Sequence, residues 1–265
     1  MASAPQPELP LFYKDLMPLN SRDHVKWSSK PFDSLNWADN QHAIPLTVDE
    51  FVQAQRDFPI VFSSGDNPVP LALMGLNENV NVFIDENGKI NEPVYIPAYI
   101  RRYPFMLARL QADSNELSLC FDPTAGVVGE FDEGERLFDD EGKVSPAGQA
   151  ALDFCEQFEQ AGARTQAFVD EIKKHDLLME GEIAITDPAK PDQPFVYRGF
   201  QMINDEKVRE LDEKTVTEWT KNGLLALVYA HIFSLDLMRA VFARQMGQGK
   251  VPQPSALQAA PVAGA

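Results

Sequence analysis

The chain has 265 residues, with 40 acidic against 23 basic side chains, a formal net charge of -17 and 44% hydrophobic residues. It is long enough to bury a sizeable core and ordinary in composition for a globular protein, and its negative balance repels phosphate backbones and anionic bilayers, so nucleic acid is not an expected partner. Two cysteines, Cys120 and Cys155, are too few for a disulfide scaffold and lack any zinc-ligand spacing, so a reducing cytoplasm is the expected location.

The start, "MASAPQPELPLFYKDLMPLN", carries neither a basic n-region nor an apolar h-region. No secretory signal is expected, and export by an unconventional route stays open. Residues 1–10, rich in Pro, Ala and Ser, read as a flexible tail, and so do residues 246–265, which have no apolar period. With no internal boundary rich in Pro and Gly, residues 11–245 read as one domain. The aromatic early segment around Trp27, Phe32 and Trp37 reads first as a cover for the core, with a lid or a partner-docking strap as the alternative. His24, after "NSRD", belongs either just inside a helix start or to a loop.

From Pro59 to Asp85 three short runs, "PIVFSS", "PLALMGL" and "VNVFID", read as strands closed by Gly, Asn or Asp. "DENGKI" at 85–90 contains Asn87-Gly88, a dipeptide that tolerates the positive φ of a tight turn. "RLFDDEGKVSP" echoes it downstream, as a second acidic turn rather than a repeated hairpin. "LSLCFDP" is a further strand. The acidic run Glu130–Gly142 does not follow the ligand order of a calcium loop and reads as solvated. Ser145 is placed to cap a helix whose first position is Pro146, and the spacing of Leu152, Cys155, Phe158, Phe168 and Ile172 predicts a long helix over 146–176, or two broken near Ala161-Gly162.

Strands return at 181–203 around "GEIAI" and "PFVYRGFQMIN". Asp205 and Asp212 are expected to cap two short helices, the second ended by Asn222-Gly223. A last helix over 224–243 would place Leu224, Leu227, Val228, His231, Leu235 and Met238 on one stripe. Its run "GLLALVYAHIFSLDLMRAVF" is interrupted by His231, Ser234, Asp236 and Arg239, and reads as a buried amphipathic helix without membrane insertion. The order predicts an α+β domain: antiparallel strands in the N-terminal half and around 181–203, a long helix over 146–176 and a C-terminal helical section.

Several phrases together resemble the bacterial SapC family: "FYKDLMPLNSRDHVKW", "PLTVDEFVQAQRDFPIVF", "YIPAYIRRYPFML", "GEIAI" with "FVYRGFQMINDEKVREL", and "NGLLALVYAHIFSLDLM". The resemblance covers nearly the whole folded part and brings no catalytic residues with it. It implies an association with surface-layer and serum-resistance contexts, with halogenase-like proteins and with outer-membrane receptors. A peptide-transport label carried by some members conflicts with the absence of an expected membrane span.

The best candidate for a binding pocket is the segment Tyr95–Phe105, where Tyr95, Tyr99 and Tyr103 flank Arg101 and Arg102. A guanidinium beside phenol rings can grip a carboxylate or phosphate. Sequence neighbours point to different faces, so one arginine is expected to be structural, paired with an internal carboxylate such as Asp122 or Glu130. His24, Asp122 and His231 are the one set that could supply a two-histidine, one-carboxylate iron site, although His231 on the apolar stripe reads first as a hydrogen-bonded core histidine. No nucleophile elbow, phosphate loop or dinucleotide fingerprint occurs, and no cofactor is expected. The reading that follows is a non-catalytic accessory or binding protein of a bacterial envelope or nutrient-uptake system. Its expected ligand is a small molecule or peptide with an anionic group, and its expected protein partner belongs to an outer-membrane uptake system. Alternatives are a metal-dependent oxygenase acting with halogenase-like systems and a surface-layer subunit.

Overall fold

A computed structural model describes residues 9–90, 92–110, 116–185 and 194–250. In chain order the elements are β1 (Met17–Pro18), α1 (Ser21–His24), β2 (Ser28–Ser29), β3 (Ala43–Pro45), α2 (Phe51–Ala54), β4 (Ile60–Ser63), β5 (Pro70–Leu73), α3 (Ala98–Arg102), β6 (Phe105–Arg109) and β7 (Leu117–Phe121). They continue with β8 (Val128–Gly129), β9 (Glu135–Arg136), α4 (Pro146–Lys174), β10 (Leu178–Ile185), β11 (Phe195–Ile203), α5 (Asp205–Arg209), α6 (Glu213–Asn222), α7 (Leu224–Ser234) and α8 (Met238–Gly247). Every named strand pairing is antiparallel, and the fold is α+β. The chain divides into two compact units, one taking the chain up to Asp33 with Arg101–Gln160, the other Ser34–Ile100 with the chain from Ala161.

In the first unit β6 and β7 form a hairpin from Phe105↔Phe121 to Arg109↔Leu117, and β1 adds to β7 through Met17↔Phe121. A second small sheet has the order β8-β2-β9. Phe121, Val127, Val128, Leu137 and Phe138 make a core, with Met17, Val25, Trp27 and Phe32 packed against it. His24 closes α1 and lies against Trp27, ring centroids 4.4 Å apart. Helix α4 starts as its sequence predicts: Pro146 is its first residue and the Ser145 hydroxyl accepts the Gly148 N–H at 3.1 Å. It runs unbroken through Gly162 to Lys174.

The second unit carries a five-stranded sheet of order β10-β11-β4-β5-β3. Its long hairpin slips register between Gly181 and Glu182, opposite Phe200 and Arg198, leaving Gly199 as the extra residue at φ 84°, a conformation open to glycine. Helices are wired to this sheet through side chains that cap backbone donors. The Ser234 hydroxyl accepts from Ile60 N–H at 2.9 Å, His231 Nε2 from Ile203 N–H at 3.0 Å, and Gln245 Oε1 from Leu76 N–H at 3.0 Å.

Four features differ from expectation. "VNVFID" is not a strand, because the buried Asn81 amide oxygen accepts from the Phe83 and Ile84 N–H groups at 2.9 and 3.1 Å and folds the run back on itself. The last helix is two, α7 and α8, joined by a 3₁₀ turn over Leu235–Leu237, where the Ser234 hydroxyl donates to the His231 carbonyl at 2.6 Å. Nor does order stop at 245: α8 reaches Gly247, Gln248 Nε2 donates to Val82 O at 2.9 Å and Lys250 Nζ to Asn81 O at 2.6 Å. Asn204, not Asp205, caps α5, whereas Asp212 caps α6 as expected and Gly223, at φ 83°, ends it. The stretch Leu224–Gly247 is long and apolar enough to cross a membrane by length and composition, with mean hydropathy 1.6. Within its unit Val228, His231, Ser234, Met238 and Gln245 are buried. Of the expected tails, 1–10 and 246–265, residues 1–8 and 251–265 lie outside the described residues.

Candidate functional site

The Tyr–Arg segment is assembled by carboxylates of the chain itself. In the second unit buried Glu50 accepts from the Tyr95 hydroxyl at 3.0 Å and from the Ala98 N–H, first residue of α3, at 2.6 Å; its other oxygen takes the Thr47 N–H and hydroxyl, both at 2.9 Å. Tyr95 N–H also donates to Asp57 at 2.8 Å, and Tyr99 is buried. In the first unit the two arginines part. Arg102 is buried, its guanidinium 4.2 Å from the Phe158 ring centroid and 3.5 Å from Glu159, while Arg101 is exposed with its guanidinium 5.2 Å from the Phe154 ring. Glu159 is thus one carboxylate facing Arg102, a residue the sequence reading did not name beside Asp122 and Glu130. Asp122 instead accepts from the Tyr103 hydroxyl at 3.2 Å and the Lys14 N–H at 2.8 Å. Burial, and then the charge of Asp122, push the Tyr103 phenol well above its ordinary range.

The three residues of the iron-site alternative serve other ends. His24 Nδ1 accepts from Asn20 N–H at 3.2 Å, Asp122 holds Tyr103, Lys14 and Thr124, and His231 Nε2 accepts from Ile203 N–H. Complete burial pushes the His231 imidazole down to about 3, so it is neutral in the core. Among the described residues no three His, Cys, Asp or Glu side chains gather in a way that could hold a metal ion. Both cysteines are free and buried, and burial raises their thiols to about 11 (Cys120) and about 12 (Cys155), far from the reactive thiolate.

A different site emerges in the second unit. A cleft of about 830 Å³ is bounded by Val48, Asp49 and Val52, by the C-terminal half of α4, by α6 and by the start of α7. Its apolar lining includes Val52, Ala167, Leu224 and Leu227. At one side Arg164 clasps Asp49 through two nitrogens, Nε lying 3.1 Å from Oδ1. Deeper in, Glu171 is a hub. One turn along α4, His175 Nε2 lies 3.2 Å from Glu171 Oε1, Lys174 Nζ donates to the same carboxylate at 3.1 Å, and Trp219 adds a hydrogen bond. Partial burial pushes Glu171 up, but the Lys174 bond and charge, with those from His175 and Trp219, hold it below the ordinary carboxylate range. Buried Trp219 meets the His175 ring edge-on at 5.1 Å. On α6 the Thr215 hydroxyl donates to Asp212 at 2.6 Å.

The SapC family profile matches residues 19–241. The chain belongs to the SapC family. No curated protein and no solved structure matches it. The SapC match takes in both units and every residue lining the cleft. Sequence reasoning missed this cleft because its walls come from three distant stretches of ordinary composition. The one local signal is Glu171 and His175, four apart and so on one helical face, in a protein with four histidines.

Proposed function

We propose that this SapC-family chain is a non-catalytic binding protein that takes a small organic ligand in the cleft of its second unit. The volume lies in the range of small-molecule sites. The observation that carries a binding role over a catalytic one is how the cleft's reactive groups are tied. Its one lining hydroxyl among the described residues, Thr215, is bonded to Asp212, while its histidine is bonded to Glu171, so nucleophile and base are held by different carboxylates. The walls are prearranged by internal bonds, which favours occupancy of a fixed shape. In this reading Tyr95, Tyr99, Arg101, Arg102 and Tyr103 are framework. The setting is a bacterial envelope or nutrient-uptake system, with an outer-membrane uptake protein as partner, which is the association the family carries.

Native mass spectrometry of the full chain, before and after incubation with a metabolite extract, tests the reading. Wild-type protein is expected to retain one small molecule per chain. Ala167→Trp, at an exposed lining position, fills the cleft without touching the core and is expected to keep the circular dichroism spectrum and lose the adduct. An adduct unaffected by that substitution places the ligand elsewhere, and steady conversion of the bound molecule into a product sinks the non-catalytic reading.

A further inference from the structure

The chemistry of the cleft walls points to a class of guest, an inference that rests on the cleft being the ligand site. Its carboxylates are largely occupied: Asp49 by Arg164, Asp212 by the Thr215 N–H and hydroxyl, and Glu171 by Lys174, His175 and Trp219. Glu218, on α6, is the exception among the described residues. The cations are less committed. Lys214 makes no side-chain bond among the described residues, and Arg164 uses only Nε and one terminal nitrogen on Asp49. His175 has a side still open, since its Nε2 faces Glu171 and its Nδ1 has no partner among the described residues. A proton on Nε2 for Glu171 leaves Nδ1 as an acceptor in the neutral ring. A proton on Nδ1 makes that atom a donor.

We propose that the cleft binds an amphipathic carboxylic acid as its anion, carboxylate on His175 Nδ1 and apolar body against Val52, Ala167, Leu224 and Leu227, with one proton taken from solvent onto His175. The groups that meet that imidazole among the described residues are Glu171 on α4 and Trp219 on α6, with Lys174 on the same carboxylate, and the remaining charged groups of the cleft wall are Asp49, Arg164, Asp212, Lys214 and Glu218. Lys214, on the cleft wall and without a carboxylate partner among the described residues, offsets part of the repulsion the guest meets from Glu218 and from a chain of net charge -17. A neutral amide of the same shape gains the apolar contact but neither the charge-assisted bond nor the proton uptake.

The test is calorimetry on the full chain with phenylacetate, indole-3-acetate and octanoate, each against its amide and against phenethylamine. It runs from pH 8 to 5.5 in buffers of different ionisation enthalpy. The acids are expected to bind about tenfold tighter at pH 5.5 than at pH 8, with a net uptake that averages about 0.4 proton per molecule over that range, and to outbind the amides and the amine. His175→Gln removes the pH dependence, and Ala167→Trp removes binding. Lys214→Gln, at an exposed position, weakens the acids alone about threefold and serves if His175→Gln does not fold. Amides or amine binding as well as the acids, all lost in Ala167→Trp, overturns the anion assignment and leaves the binding reading standing. No binding by any probe, or binding indifferent to Ala167→Trp, overturns both.

Discussion

Each unit contains an arginine facing a carboxylate with one partner on α4, and the two pairs do different jobs. In the first unit the Arg102 side chain is 5% exposed, faces Phe158 and meets Glu159 by a single contact at 3.5 Å. In the second, Arg164 is 52% exposed and grips Asp49 with two nitrogens. By geometry alone the second pair is the better one. Burial reverses the ranking, because an exposed pair competes with water and salt, whereas a buried guanidinium also fills volume and stacks on a ring. The pair with better hydrogen bonds therefore belongs to the cleft, and the pair with worse ones to the framework.

That contrast can be broken most sharply at Arg102. Arg102→Ala is expected to cost about 2–4 kcal/mol in urea denaturation, and Arg102→Lys to restore little of it, because an ammonium does not stack flat on Phe158. Arg101→Ala, beside it on the exposed side, should stay within about 0.5 kcal/mol. Loss of stability in neither variant would remove the framework role.

The second unit buries a neutral ring instead of a cation, and acid should find it. With the His231 pKa depressed to about 3 in the folded chain, the unfolded chain binds a proton that the folded one refuses. Its contribution is whole above about pH 6.5 and is lost as pH falls towards 3, at up to about 1.4 kcal/mol per pH unit, or roughly 2 kcal/mol by pH 5. His231→Gln, whose amide oxygen can still accept from Ile203 N–H, should lose that slope. Ser234→Ala leaves the buried Ile60 N–H without its acceptor and is expected to cost about 1–2 kcal/mol. Least affected is Arg164→Ala, with no measurable change in melting temperature, because the Asp49 pair it breaks is exposed.

Much of the fold was legible because its signals are local. Ser145-Pro146, Asp212, Gly223 and Asn87-Gly88 act through bonds to residues within one turn. The two acidic turns even share a mechanism: Asp85 Oδ1 accepts from Asn87 and Lys89 N–H, and Asp139 Oδ1 from Glu141 and Lys143 N–H. Strand β4 followed from its β-branched and aromatic run, and β5 and β7 from short apolar runs bounded by turn residues. What misled was a side chain doing backbone work. Asn81 turns an alternating run into a loop, and Ser234 interrupts an apolar stripe that shows no break in its period. The two units left no linker to read, because the chain passes between them inside α3 and inside α4 as well as at Asp33. The cleft was hidden for a related reason: Val52, His175 and Lys214 come together only once the whole second unit has formed, and spacing carries no trace of that.

The β11–β4 pairing, Phe200↔Ser63 and Gln201↔Phe62, joins the two stretches of the second unit's sheet across most of the chain. During synthesis the Ile-Val-Phe edge of β4 emerges early and waits for its neighbour until nearly four-fifths of the polypeptide has left the ribosome. Throughout that interval an apolar strand has one flank unpaired, open to any other extended chain it meets. A nascent copy of this protein is thus exposed to misassociation through the middle of translation, and a chaperone that shields β4 over that interval would act where the topology makes it most useful.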